Sequence, residues 1–174
     1  MRRIVLAIAQ SLDGYTARAD GSVDWLGEMS DYPGVTEAYQ AFFAEVSDLI
    51  MGRRTFDQVL GFGEWPYAGA TSHVLTHRDA APHDAVAFTS ETPARLVERL
   101  RTSGDGLIWL VGGTDVIRQF QHADLIDEYR VTTIPIVLGD GIPLFERNIP
   151  EARLSRLGST TFGDAIETRY ERRT

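Results

Sequence analysis

The sequence predicts an α/β protein: a mostly parallel central sheet covered by helices on both faces, with an antiparallel hairpin added at the C-terminal end. Three observations carry that reading. Short, nearly continuous apolar runs such as IVLAIAQS from Ile4 and LIWLV from Leu107 have the pattern of strands buried on both faces. Stretches with apolar residues at helical spacing lie between such runs, so strand and helix alternate along the chain. The last segments, RLSRLGSTTF and AIETRYERR, alternate in polarity around Gly163-Asp164 instead, which is the signature of a hairpin.

Each element has its own warrant. The first strand starts at Ile4 and runs into the turn Asp13-Gly14, and a polar, glycine-containing loop follows to about Trp25. Pro33 suits the first turn of a helix, with Asp31 as its cap. Val35, Tyr39, Phe42, Phe43 and Val46 then form one apolar face at helical spacing. DLIMG, Asp48 to Gly52, is a short strand, and RRTFDQVL opens a helix directly after it. SHVLT and AVAF are two further strands. Thr92-Pro93 starts a helix whose inner face is Leu96, Val97 and Leu100, ended by SGDG. LIWLV leads through Gly112-Gly113 into a helix with Val116, Ile117 and Phe120 inward. IDEYRVTTIPIVLG holds a longer strand, which Pro135 either moves to an edge or ends. The charged run TRYERR reads as a solvated strand edge.

Composition narrows the function. The 174 residues suit one domain spanning 1–174, with a substantial core. No apolar run approaches the ~18 residues of a membrane span, and the N-terminal stretch lacks signal-peptide form, so a cytoplasmic protein is expected. There is no cysteine, which excludes disulfides, thiolate metal sites and a cysteine nucleophile. The four histidines show no metal-binding spacing. His73 and His77 fall on a strand, where positions four apart are separated by about 13 Å, so no metal is expected. The net charge of −8 makes nucleic acid a poor partner. All 17 basic residues are arginine, so lysine Schiff-base chemistry is excluded. An acidic protein that binds an anion must concentrate positive potential locally.

Three strand-to-turn junctions meet that criterion. At Gly112-Gly113-Thr114 the glycines let a ligand approach the backbone, and the following helix start offers N–H groups and a positive dipole end, a setting that fits a pyrophosphate. A tight turn alone would need only one glycine. At Gly52-Arg53-Arg54-Thr55 two arginines stand where a helix dipole disfavours cations, a conflict that a bound anion removes. The bland alternative is that the arginines meet water or pair with an acid. At Thr76-His77-Arg78 a hydroxyl and a guanidinium close a strand, which suits a phosphomonoester as well as it suits a solvated strand end. In an open α/β sheet this edge is where ligands bind.

IVLAIAQSLDGYTA, LIMGRRTF, VLTHR, LIWLVGGTDVIRQF and DEYRVTTIPIVLGDGIPLF, taken in that order from Ile4 to Phe145, resemble the dihydrofolate reductase-like family. Within it they are most similar to the reductase domain of riboflavin biosynthesis, PIVLGDGIPLF especially. The resemblance implies the family's three-layer fold, NADPH as coenzyme, a pyrimidine or pterin-like small-molecule substrate, and a homodimer. It implies that Ala9, Thr16 and Ala17 flank the nicotinamide. Gly52, Arg53, Arg54 and Thr55 would hold phosphates, and Thr76 and Arg78 would face the ribose 2′-phosphate. Gly112, Gly113, Thr114 and Asp115 would bracket the pyrophosphate. The implied chemistry is hydride transfer to a small heterocyclic substrate, as in 5-amino-6-(5-phosphoribosylamino)uracil reductase. The alternatives are a dihydrofolate or pterin reductase, and a nucleotide- or flavin-binding module without catalysis.

The chain departs from the family pattern in two places. It has neither the length nor the cysteines for the zinc deaminase often fused to the riboflavin enzyme. The acid that folate reductases present early in their first helix has no residue in clean register here. Asp24, Glu28 and Asp31 are the candidates; Asp24 is preferred among them as a substrate-side polar group, with a surface-turn carboxylate as its more ordinary reading. Trp25 beside it either covers the nicotinamide or is core.

Overall fold

The computed structural model describes residues 1–84 and 86–173, with Glu28 described by its backbone only. The chain runs β1 (Ile4–Ser11), β2 (Tyr15–Ala17), a 3-10 helix (Asp24–Asp31), α1 (Val35–Phe43), β3 (Val46–Gly52) and α2 (Arg53–Leu60). It continues through β4 (Thr71–Leu75), β5 (Val86–Thr89), α3 (Pro93–Thr102), β6 (Leu107–Gly112) and α4 (Thr114–His122). It ends with β7 (Glu128–Ile134), β8 (Ile142–Pro143), β9 (Leu154–Phe162) and β10 (Ala165–Arg172). Eight strands make one sheet in the order β5-β4-β3-β6-β1-β7-β10-β9. The first six are parallel to their neighbours, β10 is antiparallel to both β7 and β9, and β2 and β8 form a separate small antiparallel pair.

Alternation of side chains along the buried strands produces the three layers. Ile4 and Leu6 of β1, Ile50 of β3 and Ile108 and Leu110 of β6 face α3 and α4, which contribute Leu96, Val97, Leu100, Val116, Ile117 and Phe120. Val5, Leu49, Met51, Val74 and Trp109 face the other way, against Phe42 of α1 and Phe56 and Val59 of α2. Leu110 is fully buried, so truncating it to alanine costs about 2–5 kcal/mol. No helix among the described residues is long and apolar enough to cross a membrane.

Most elements fall where local rules place them, and three differ for identifiable reasons. α1 starts at Val35, after Gly34 at φ 83°, while Pro33 stays outside it and Asp31 ends the 3-10 helix instead of capping α1. Val46 continues the apolar face of α1 in sequence but opens β3, because it pairs with Leu107. Pro135 ends its ladder at Ile134 without sending the strand to an edge, for β7 lies between β1 and β10. The run TRYERR is likewise interior: Arg169 pairs across to Arg130, and its guanidinium bonds the buried Glu128.

Candidate active site

The parallel strands β4, β3 and β6 end level at one sheet edge, where Leu75 pairs with Gly52 and Met51 with Gly112. Two of the glycine junctions therefore become neighbours. A Cβ added to Gly52 would stand 3.0 Å from Val116 Cγ2, and one added to Gly113 would stand 3.3 Å from Thr55 Oγ1. Each helix start packs against the other: α4 forms the wall beside Gly52, and α2 the wall beside Gly113. Both glycines occupy N-cap positions with no side-chain hydrogen bond to the first turn. α3 is the contrast, since the Thr92 hydroxyl accepts from the Arg95 N–H at 3.5 Å and Pro93 takes the first helical position. The positive ends of α2 and α4 thus point into one corner with no protein cap. Gly112 has φ 128°, which strains any other residue, and the Gly112–Gly113 peptide is cis. Thr114 is half-buried at the start of α4.

The arginines at this edge differ in their partners. Arg53 donates from Nε to Asp57 Oδ1 at 2.8 Å and lies 5.9 Å from the ring centroids of both Phe56 and Phe88. One of its terminal nitrogens, Nη1, is buried with no hydrogen-bond partner among the described residues. Arg54 is exposed and forms no ion pair among the described residues. The same holds for Arg78, whose backbone N–H donates to Thr76 Oγ1 at 3.0 Å in a turn closing β4. Asp115 is exposed and already bonded to Arg118 and Gln119.

Beside this corner a cleft opens on the α1 side of the sheet. β1 is flanked by β6 and β7, yet Ala7 and Ala9 in its second half are only half-buried, as is Val111 of β6. Central strands close over completely where helices pack on them, so this gap marks a slot. α1 lays Phe42 on the sheet, but Val35 and Ala38, on the same helical face, are short and half-buried. Ala9 forms the floor, and Thr132 of β7, its partner in the sheet, is buried beside it.

The remaining predicted residues lie around the slot. Ala17 is buried, and Thr16 donates its hydroxyl to the Ile142 carbonyl at 3.2 Å, so both belong to the β2–β8 pairing. Trp25 is buried in a cluster with Ile134 and Ala165, packed against Ala9, and its indole N–H has no acceptor among the described residues. Asp24 is exposed, and its two oxygens accept from Arg18 at 2.7 and 3.0 Å. Those bonds from Arg18 hold its carboxyl below the usual range, so it stays ionised. The Glu28 side chain lies outside the described atoms.

One organising residue was invisible from the pattern. The Asp13 carboxylate accepts the Ser11 hydroxyl at 2.7 Å and the backbone N–H groups of Leu138 and Gly139 at 3.1 and 2.7 Å. The Ser11 bond in particular holds its pKa down. Asp13 thereby ties the loop after β1 to the loop after β7, the two segments that border the slot. Only its position in a turn was readable in sequence, because its partners lie about 125 residues away. Two cavities of about 230 and 520 Å³ lie on the opposite sheet face and share Tyr129, Phe145 and Leu154. They contain none of the glycine junctions, so the slot and not the cavities is the candidate active site.

Comparison with known proteins gives a consistent relation. A family model described as the RibD C-terminal domain matches residues 2–167. The uncharacterized protein YwjB of Bacillus subtilis strain 168 is 37% identical over 173 residues, covering 98% of both chains. A second uncharacterized protein of that organism, YyaP, is 29% identical over 95% of this chain and 92% of its own. Among solved structures, a Shewanella sp. PV-4 protein whose description proposes a role in riboflavin biosynthesis superposes with a TM-score of 0.86, at 32% identity and full coverage of both chains. A Thermotoga maritima diaminohydroxyphosphoribosylaminopyrimidine deaminase/5-amino-6-(5-phosphoribosylamino)uracil reductase shares the fold at a TM-score of 0.72 and 14% identity. This chain matches 57% of that longer protein's length.

Proposed function

Because the chain belongs to the RibD C-terminal domain family, we propose that it is an NADPH-dependent reductase that transfers hydride to a small pyrimidine-like heterocycle, in the manner of a 5-amino-6-(5-phosphoribosylamino)uracil reductase. The observation that carries the reading is the shared corner of α2 and α4. Two helix starts without side-chain caps adjoin there, and Arg53 at the start of α2 has a buried guanidinium nitrogen without a partner among the described residues. A pyrophosphate supplies the missing acceptors for all of them at once.

In this reading Gly52, Thr55, Gly113 and Thr114 hold the pyrophosphate, with Arg53 Nη1 donating to it. Arg54, Thr76 and Arg78, at adjacent strand ends, take the ribose 2′-phosphate. The nicotinamide lies in the slot above Ala9, where the bound coenzyme supplies a hydride. The chain's own work is to orient the two reactants and exclude water: Trp25, packed against Ala9, closes one side, and Phe42 closes the other. The reductase domain acts in the cytoplasm and as a homodimer. The dimer reading draws support from the apolar face around Phe145 and Ile166, which are 46% and 48% exposed.

The test is a titration followed by turnover. Tryptophan fluorescence should report tight binding of NADPH and much weaker binding of NADH. NADPH absorbance should then fall with 5-amino-6-(5-phosphoribosylamino)uracil and not with dihydrofolate. Failure to bind NADPH would remove the proposal. Turnover of dihydrofolate alone would move the protein to the folate branch.

A further inference from the structure

We propose that Glu167 is the proton donor of this reductase, an assignment that rests on the reading above. Ala9 pairs with Thr132, and Thr132 pairs with Glu167, so the three residues form one row across β1, β7 and β10. Residues paired in this way share a sheet face, here the α1 side that carries the slot. Two strand spacings place Glu167 about 10 Å from Ala9, the reach of a heterocycle that stacks on the nicotinamide above Ala9 and extends toward β10.

The surroundings suit a general acid. Glu167 is half-buried, and among the described residues its carboxyl has no hydrogen-bond or ion-pair partner, whereas Asp24, Asp57 and Asp115 near the slot are all bonded to arginine. Burial raises its pKa, and the charge of Glu128 acts in the same direction; Arg130 and Arg169 oppose them with a smaller effect. Those arginines are themselves engaged by Glu128, at 2.7 and 3.0 Å, and Arg130 also lies 4.8 Å from the Phe42 ring centroid. Burial thus shifts the acid toward its protonated form, and two guanidiniums lie near enough to stabilise the negative charge once the proton has left.

The C4–H bond of the dihydronicotinamide breaks, and its electron pair forms a C–H bond at the electrophilic carbon of a C=N or C=O group. The π pair moves onto the nitrogen or oxygen and takes the Glu167 proton. NADPH is oxidised to NADP⁺, the substrate is reduced, and the carboxylate regains a proton from solvent.

The experiment compares wild type, Glu167→Gln and Glu167→Asp, with 5-amino-6-(5-phosphoribosylamino)uracil and NADPH. NADPH affinity should stay within about 2-fold in both variants. Hydride transfer in Glu167→Gln should fall about 10²–10⁴-fold. The wild-type rate should decline as pH rises through the titration of Glu167, a decline absent in Glu167→Gln and retained at reduced rate in Glu167→Asp. A Glu167→Gln enzyme with near wild-type rate, or either variant with the wrong pH profile, overturns the assignment. If Glu167→Gln does not fold, the Glu167→Asp profile alone decides. A wild-type protein that binds NADPH but reduces neither this substrate nor dihydrofolate overturns the reductase reading itself, and the assignment with it.

Discussion

Arg78→Ala offers the most direct probe of the coenzyme corner, because the side chain does nothing else for the fold. It is exposed and forms no ion pair or side-chain hydrogen bond among the described residues; the turn is held by its backbone N–H, which alanine keeps. Truncation should therefore change stability by no more than about 0.5 kcal/mol. A guanidinium bonded to a phosphate contributes about 1.5–3 kcal/mol, which corresponds to a loss of about 10–150-fold in NADPH affinity. NADH lacks the 2′-phosphate, so its affinity should not move, and the NADPH/NADH preference should shrink by that factor. Both dissociation constants follow from quenching of tryptophan fluorescence, with thermal melts as the control on folding. Arg54→Ala is the companion, since it is also exposed and stands in the first turn of α2, just after the adjacent strand β3. A folded Arg78→Ala protein with an unchanged coenzyme preference would show that the 2′-phosphate is held elsewhere, and the ordering of phosphates along this edge would fall with it.

Other perturbations should have distinct signatures. Gly52→Ala places a methyl 3.0 Å from Val116 Cγ2, so the α2–α4 contact must shift, at a cost of about 1–3 kcal/mol in a urea melt together with weaker NADPH binding. Asp48 is only 14% exposed; burial alone would raise its carboxyl, but hydrogen bonds from His73, Arg2 and Ser47 hold it at about 2. A pKa depressed in the folded state adds stability above the unfolded value near 4, which is lost as pH falls toward 2. Asp48→Asn should therefore lose about 1–2 kcal/mol at neutral pH after allowance for screening, with the difference closing between about pH 4 and 2. Equal stability of the two proteins at neutral pH would refute that account. Sedimentation velocity should show a dimer, and Ile166→Glu should yield a folded monomer; a wild-type monomer would remove the apolar face as an interface.

The parts of this molecule that were legible in sequence obey rules acting within a few residues. Thr92-Pro93 starts α3 because a hydroxyl cap and a fixed φ suffice there. Gly112-Gly113 marked the end of a strand before a helix, and β6 does end there. The limits appear where a residue satisfies two periods at once. Val46 fits the stripe of α1 as well as it fits a strand, and only its pairing with Leu107 decides. Pro33 could begin a helix by its own geometry, but Gly34 at positive φ turns the chain first. The slot floor was further out of reach, since Ala9, Thr132 and Glu167 share no motif and are brought into one row by strand order and register alone. The pattern of the C-terminal hairpin was correctly alternating, but its charged stripe reads the same whether it faces solvent or a cleft.

Charge explains why that hairpin faces inward. The chain carries a net −8, so an anionic coenzyme meets an unfavourable field everywhere except where arginines lack acidic partners. Arg54, in the first turn of α2, and Arg78, after β4, supply such a place, and among the described residues they form no ion pair because nearby acids are committed elsewhere: Asp57 to Arg53, Asp115 to Arg118. The floor of the slot works by the opposite device. Glu128, 1% exposed, binds Arg3, Arg130 and Arg169, so three guanidiniums share one buried carboxylate and retain surplus positive charge beside Glu167. At that position burial raises the pKa of the carboxyl while the nearby arginines favour its anion, so the two protonation states are brought closer together in energy. Removing Glu128 would leave the arginines to pair with Glu167 directly and would fix it as a carboxylate. The buried triad is thus better understood as the means by which the neighbouring acid stays uncommitted than as a stabiliser of the sheet, a view consistent with the small net worth of buried ion pairs.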